Sequence, residues 1–169
     1  MSQILIAPDV SKPLYPSVFL GGGISGCPDW QSGVCDNLTY ENITVFNPRR
    51  EHFDVSDRTI TQQQIQWEFK RLERCDIFSM FFCKGGSVQP ICLYELGRNI
   101  VRMQSRFPTT WKHRIVVTIE PGYKRADDVF WQSLYATNGF VSANYGDAFE
   151  HSLYIRRAMK DLRDLGGIE

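Results

Sequence analysis

Apolar runs of strand length alternate along this chain with segments of helical spacing, and that alternation restricts its fold more than any other feature. Val18-Phe-Leu-Gly-Gly-Gly23 reads as a short strand running straight into a glycine turn, and Pro28-Asp-Trp-Gln31 opens a helix. Ile43 to Phe46 is the next strand, followed by a polar loop from Asn47 to Asp54. From about Thr59 to Arg74 the apolar positions 65, 69 and 72 follow helical spacing. Asp76 to Phe82 is a strand, Lys84 to Ser87 a turn, and Pro90 the first residue of a helix reaching about Gln104. Arg114 to Glu120 is a strand closed by Pro121-Gly122, and a helix covers about Asp127 to Ala136. A short apolar piece at Phe140-Val141 and a last helix from about Asp147 to Leu165 complete the order. Gln3 to Ala7 is either an extra strand or an arm. The pattern predicts an α/β fold: a mainly parallel, five-stranded sheet with helices on both faces.

At 169 residues and 43% hydrophobic content the chain is expected to form one domain, residues 1–169, with a real core. Its 19 basic and 19 acidic residues cancel, whereas a nucleic-acid binder carries a basic excess or stripe. A small-molecule ligand is expected, and no nucleic acid. No apolar run approaches the roughly 20 residues of a membrane span, and the N-terminus lacks the basic start and apolar core of a signal peptide. Cys27, Cys35, Cys75, Cys83 and Cys92 form no C-x-x-C pair and, with three histidines, match no zinc spacing. Reduced thiols in a cytoplasmic protein are the simplest reading, and no metal or cofactor is expected.

In a sheet of this kind ligands collect at the carboxyl ends of the strands, near the point where strand order reverses. Chain direction then sorts the acidic residues by height. The strand from Asp76 to Phe82 is roughly 20 Å long, which leaves Asp76 at the opposite edge as a turn or helix-exit residue. Glu68 lies roughly 9 Å above that edge on the descending helix, and Glu95 roughly 7 Å below the start of its own. The two carboxylates can therefore reach a common depth.

Glu68 is three residues after Ile65 and four before Leu72, at the border of the expected buried stripe. Glu95 flanks the stripe of Cys92, Leu96, Ile100 and Met103. Burial raises the pKa of a carboxylate placed there, while the helix N-terminus favours the anion. For Glu95 the anion is expected, as a nucleophile requires. Against this stand the reading of both residues as solvated helix flanks, and of Gly97 as a close-packing glycine. The pair suggests glycosidic-bond chemistry with a glutamate nucleophile.

Taken together, the glycine turn Gly21-Gly-Gly-Ile-Ser-Gly26, the Trp67-Glu68 helix, Asp76 eight residues on and Tyr94-Glu95-Leu96-Gly97-Arg98 resemble the nucleoside 2-deoxyribosyltransferase family. That family includes relatives that hydrolyse deoxynucleoside 5′-monophosphates. The resemblance covers roughly residues 17 to 120. It implies a flavodoxin-like three-layer fold and a glutamate, matched by Glu95, that attacks C1′ of a deoxyribosyl group. A new base or water then resolves the glycosyl ester, as in a retaining glycosidase. Glu68 falls where the family carries an acidic residue, usually Asp, near the base, which implies proton delivery. Two positions depart from the pattern. The phosphate-hydrolysing relatives carry arginine in the glycine turn, where this chain has Ser25. Six residues before the nucleophile the transferases carry Asp and the hydrolases Ser; here it is Gln89. Both departures weigh against a 5′-monophosphate, although Lys84, Arg49 or Arg50 can supply charge and the turn offers backbone N–H groups. Gln89 remains able to bond a sugar hydroxyl.

Around this pair the expected substrate contacts are Gly22, Gly23, Ser25, Asp29, Trp30, Asn47, Arg49 and Gln89. Trp30 either stacks on a base or packs in the core. Asn47 and Arg49, at a strand's carboxyl end, either reach the ligand or belong to a solvated loop. Trp67 is off the expected apolar phase and either meets a neighbouring subunit or covers the pocket. The resemblance also implies a homo-oligomer, with 138–145 as a candidate segment reaching a neighbour's site. Three functions stay open: a deoxyribosyltransferase, an N-glycoside hydrolase using water, and a non-catalytic nucleotide sensor.

Overall fold

The computed structural model describes residues 1–54, 56–85 and 87–168. Its strands are β1 (Gln3–Ile6), β2 (Ser17–Gly22), β3 (Thr44–Asn47), β4 (Ile77–Phe82), β5 (Ile115–Ile119) and β6 (Asn144–Tyr145). Between and after them lie α1 (Trp30–Asn37), α2 (Arg58–Arg74), α3 (Pro90–Arg106), α4 (Ala126–Ala136) and α5 (Ala148–Asp164). The six strands form one parallel sheet in the order β1-β3-β2-β4-β5-β6. This is the three-layer α/β/α, flavodoxin-like arrangement, with six strands where five were expected. Gln3–Ile6 is the additional one, paired with β3.

Alternate side chains of the strands serve opposite layers. Phe19, Phe78, Met80 and Phe82 pack with Leu72 of α2, Leu96 and Ile100 of α3 and Val129 of α4. Val18, Leu20, Ile77 and Phe81 pack with Val34 of α1 and Ile155 and Met159 of α5. All six residues of β4 are buried, as a strand covered on both faces requires.

The last strand is Asn144–Tyr145 and not the apolar Phe140-Val141. The Thr137 hydroxyl accepts from Val141 N and donates to Val141 O, both at 3.0 Å, so the backbone of Val141 is engaged in a turn. The buried face of α2 also differs from the expected stripe. Gln64, Trp67, Arg71 and Leu72 are buried, while Ile65 is 60% exposed and Phe69 43%. The chain after β1 explains the inversion. Asp9 O accepts from Trp67 Nε1 at 2.6 Å and from Arg71 Nη2 at 2.7 Å, and Ser11 O from the same Nη2 at 2.9 Å. Those polar ends are satisfied under a covering segment, so the burial of Trp67 against Phe19 and Phe46 is uncompromised. Trp67 therefore neither covers the pocket nor faces a neighbour.

Strand order reverses at β2, since β3 lies on one side of it and β4 on the other. At the amino end of these strands Asp76 Oδ2 accepts from Ser17 N and Oγ, both at 2.9 Å, tying β2 to β4. The carboxyl ends open into the glycine turn after β2 and the loop after β4; the turn expected at 84–87 includes Gly86, which lies outside the described residues. Among the described residues no helix is long and apolar enough to cross a membrane.

Candidate active site

The glycine turn is shaped by what lies behind it. At Gly22, with φ +150°, a Cβ would strike the Phe81 carbonyl oxygen and the Trp30 indole; at Gly23 it would meet Cys27 Sγ and the Gln89 amide. Trp30 is 5% exposed, packs on Phe81 at 4.9 Å between ring centroids and donates from Nε1 to Gly23 O at 3.0 Å. It supports the turn from the core side and takes no part in the cavity wall. Beneath it His151 is fully buried, its Nδ1 2.8 Å from Thr118 Oγ1, and burial pushes its pKa down to about 3, so the ring is neutral.

Arg49, Asn47 and Asp29 hold the same loop from outside. Arg49 Nη2 donates to the carbonyls of Ile24, Cys27 and Pro28, and Nε donates to Gln31 Oε1 and pairs with Asp29 at 3.4 Å. Asn47 Oδ1 accepts from Arg49 N, and Asp29 caps α1 by accepting from Ser32 N. Neither these three residues nor Trp30 line the cavity. The guanidinium of Arg49 is occupied by loop carbonyls, and Lys84 pairs with Glu120 at 3.8 Å.

Gln89 precedes Pro90 in a left-handed conformation, φ 51° and ψ 56°. Its Oε1 accepts from Gly23 N at 3.1 Å and its Nε2 donates to Cys83 O at 2.7 Å. The side chain lines the cavity but each end of its amide is bonded to backbone, joining the turn after β2 to the end of β4.

A cavity of about 220 Å³ lies over this floor, and Gly22, Gly23, Ser25, Gln89, Glu68 and Glu95 all line it. Two carboxylates from different helices, 27 positions apart, thus face one space at the strand-order switch, where an open α/β sheet places its ligands. Burial pushes Glu95 up to about 7, with the Glu68 charge adding to the rise and Arg98 opposing it. Burial also raises Glu68, against the donor of Gln64 and the charge of Arg50. The expectation of a plain Glu95 anion is corrected: α3 begins at Pro90, and the pull of a helix N-terminus fades within the first turn. The two carboxyl groups line one pocket, and the charge of Glu68 raises the pKa of Glu95.

A second lobe of about 290 Å³ adjoins the first and shares Ile24, Ser25, Pro48, Glu68 and Ile91 with it. Arg50, over the Phe53 ring at 6.0 Å, lies there with Gln64 and Ile65. Glu68 stands between the lobes. Sequence reasoning missed Pro48, Ser87, Ile91 and Gln64. Their signals were weak but present: Pro48 and Ser87 follow strand ends, Ile91 opens α3, and Gln64 lies one turn before Glu68.

One further expectation is answered by position. A Cβ on Gly97 would meet nothing within 4 Å, so close packing does not explain that glycine. Val141 and Ala143 of the 138–145 segment pack in the chain's own core, and Asn144–Tyr145 pair with its own β5. All five cysteines are unbonded, and among the described residues no group of three or more His, Cys, Asp or Glu is placed to hold a metal.

Compared with known families, residues 15–118, more than half of the chain, match the family described as nucleoside 2-deoxyribosyltransferase like. No curated protein matches the chain. The chain belongs to the nucleoside 2-deoxyribosyltransferase-like family.

Proposed function

We propose that this member of the family cleaves the N-glycosidic bond of a (deoxy)nucleoside through a glycosyl ester on Glu95 and passes the sugar to another base. The observation that carries the reading is the pair of carboxylates, Glu68 and Glu95, lining one cavity under the glycine turn. With Glu68 protonated, the Glu95 carboxylate attacks C1′ as the C1′–N bond breaks. The bonding pair leaves with the base nitrogen, which takes the proton from Glu68. An acceptor base then attacks C1′, Glu95 departs as carboxylate, and the N–H proton of the acceptor returns to Glu68. Burial raises both carboxyl groups, which supports a protonated Glu68 for the first half-reaction; in the second, Glu68 is the carboxylate that receives the acceptor's proton.

Substrate contacts come from Gly22, Gly23 and Ser25 in the glycine turn, with Gln89 holding that turn in shape. The lobe beside Arg50 and Phe53 receives the base. The working form is a homo-oligomer in a reducing cytoplasm; the exposed Ile65, Ile91 and Tyr94 on α2 and α3 are the apolar surface that supports assembly, and light scattering reading a monomer at working concentration counts against it.

The test is chromatography of bases released from a panel of nucleosides and 5′-monophosphates, with and without a second free base. A new nucleoside formed only with the second base is the expected result. Release into water regardless of acceptor makes the protein a hydrolase, and silence across the panel removes the reading in favour of a binding module.

A further inference from the structure

Gln64 lies one helical turn before Glu68 and is 7% exposed. Its Nε2 donates to Glu68 Oε1 and to Pro48 O, both at 2.7 Å, while its own Oε1 is buried without a partner. An unsatisfied buried acceptor is costly, so the bonds on the nitrogen side decide the orientation. Turning the amide over would set Oε1 against the Pro48 carbonyl, acceptor on acceptor whatever the charge of Glu68, and against Glu68 Oε1 as well when Glu68 is the anion. The amide is thus fixed, and with it Glu68 Oε1 is held as an acceptor. A proton on that oxygen would have to displace the Gln64 donor. The proton of a neutral Glu68 therefore resides on Oε2.

We propose that Gln64 is a positioning residue that presents Glu68 as a proton donor through Oε2 alone and keeps it a strong enough acid to protonate a departing base. The inference rests on the glycosyl-transfer reading above. Pro48, which lines both lobes, anchors the arrangement to the loop after β3, so the acid is fixed relative to the cavity wall and not merely to its own helix. The charged and titratable groups facing Glu68 are Glu95 and Cys92 from α3 and Arg50 from the loop after β3. Arg50 also favours the Glu68 anion, but it is free of the bond geometry that selects one oxygen.

The experiment compares wild type with Gln64→Met on two substrates, a deoxynucleoside with an unactivated base and a deoxyribosyl 4-nitrophenolate, whose leaving group departs without a proton. Expected is a loss of about tenfold or more in kcat on the nucleoside and a loss at least about fivefold smaller on the nitrophenolate. The limb of the pH profile that belongs to Glu68 moves to higher pH. Equal losses on both substrates with an unmoved limb overturn the proposal and leave Gln64 a structural residue. Should Gln64→Met not fold, Gln64→Asn keeps an amide one methylene short of both acceptors and serves the same comparison. Should wild type release no base at all, the glycosyl-transfer reading fails by itself, and carbon-13 NMR titration of the Glu68 carboxyl still decides the role of Gln64. An upward shift in the variant supports it, and an unchanged titration sinks it.

Discussion

Gln89 and Gly23, 66 positions apart in sequence, are joined by a 3.1 Å hydrogen bond from the glycine amide to the side-chain oxygen. The other end of the same side chain holds Cys83 O, so one residue spans the ends of β2 and β4 where the cavity floor is made. Gln89→Ala leaves a donor and an acceptor unpaired and is expected to cost about 1–3 kcal/mol in urea denaturation. Gln89→Gly loses the same bonds but suits the left-handed backbone, and is expected to be more stable than the alanine variant by roughly 1 kcal/mol. An alanine variant as stable as wild type removes the bridging role.

Glu95 is moved by burial from an ordinary 4.5 to about 7. Between those values the folded protein binds more protons than the unfolded chain, so this group lowers stability as pH rises through the window. The full penalty is present above pH 7 and absent below about 4.5. Glu95→Gln is expected to be more stable than wild type at pH 8 by on the order of 3 kcal/mol, with the difference vanishing toward pH 4.5. Melting curves of both proteins across that range read the difference directly, and a constant offset contradicts the buried-carboxyl account.

Loss of the nucleophile and loss of the acid are separable. Glu95→Ala is expected to lower turnover by on the order of 10³-fold or more on every substrate while the circular dichroism spectrum is kept. Glu68→Gln is expected to cost about 10²–10⁴-fold on bases that must be protonated to leave, and far less on good leaving groups. A uniform loss across a leaving-group series rules out proton delivery by Glu68.

Two glycines are expected to respond in opposite directions. Gly22→Ala pushes a methyl group into the Phe81 carbonyl and the Trp30 ring in a backbone region that side chains avoid, and is expected to destabilise by at least about 1–3 kcal/mol. Gly97→Ala, inside α3 with open space around the new Cβ, is expected to stabilise by roughly 0.5–1 kcal/mol. Thermal denaturation of the two variants distinguishes them, and an unfavourable Gly97→Ala means that this glycine has a partner or ligand above it.

Much of the architecture is local in origin and was legible without coordinates. Apolar runs, helical spacing and the Pro28 and Pro90 starts located five helices and the strands from β2 to β5, because each of these signals is carried by residues a few positions apart. The height argument separated Asp76, at the amino end of β4, from Glu68 and Glu95, because rise per residue is set by backbone geometry alone. Gly22, Gly23, Ser25, Glu68, Gln89 and Glu95, expected from chain direction and from the family resemblance, all line the cavity. What sequence left open depends on pairings across long separations. Ile65 and Phe69 outrank Gln64 and Arg71 in hydrophobicity, yet the latter pair is buried, because Pro48, Asp9 and Ser11 supply backbone acceptors from elsewhere in the chain. Trp30 and Arg49 stand where a ligand contact was plausible, and only the fold shows their polar atoms bound to the carbonyls of the glycine loop. Helices and strands are chosen by neighbours in sequence; the partner of a buried polar group is chosen by whichever distant backbone folding brings within about 3 Å, and that is decided by the tertiary structure alone.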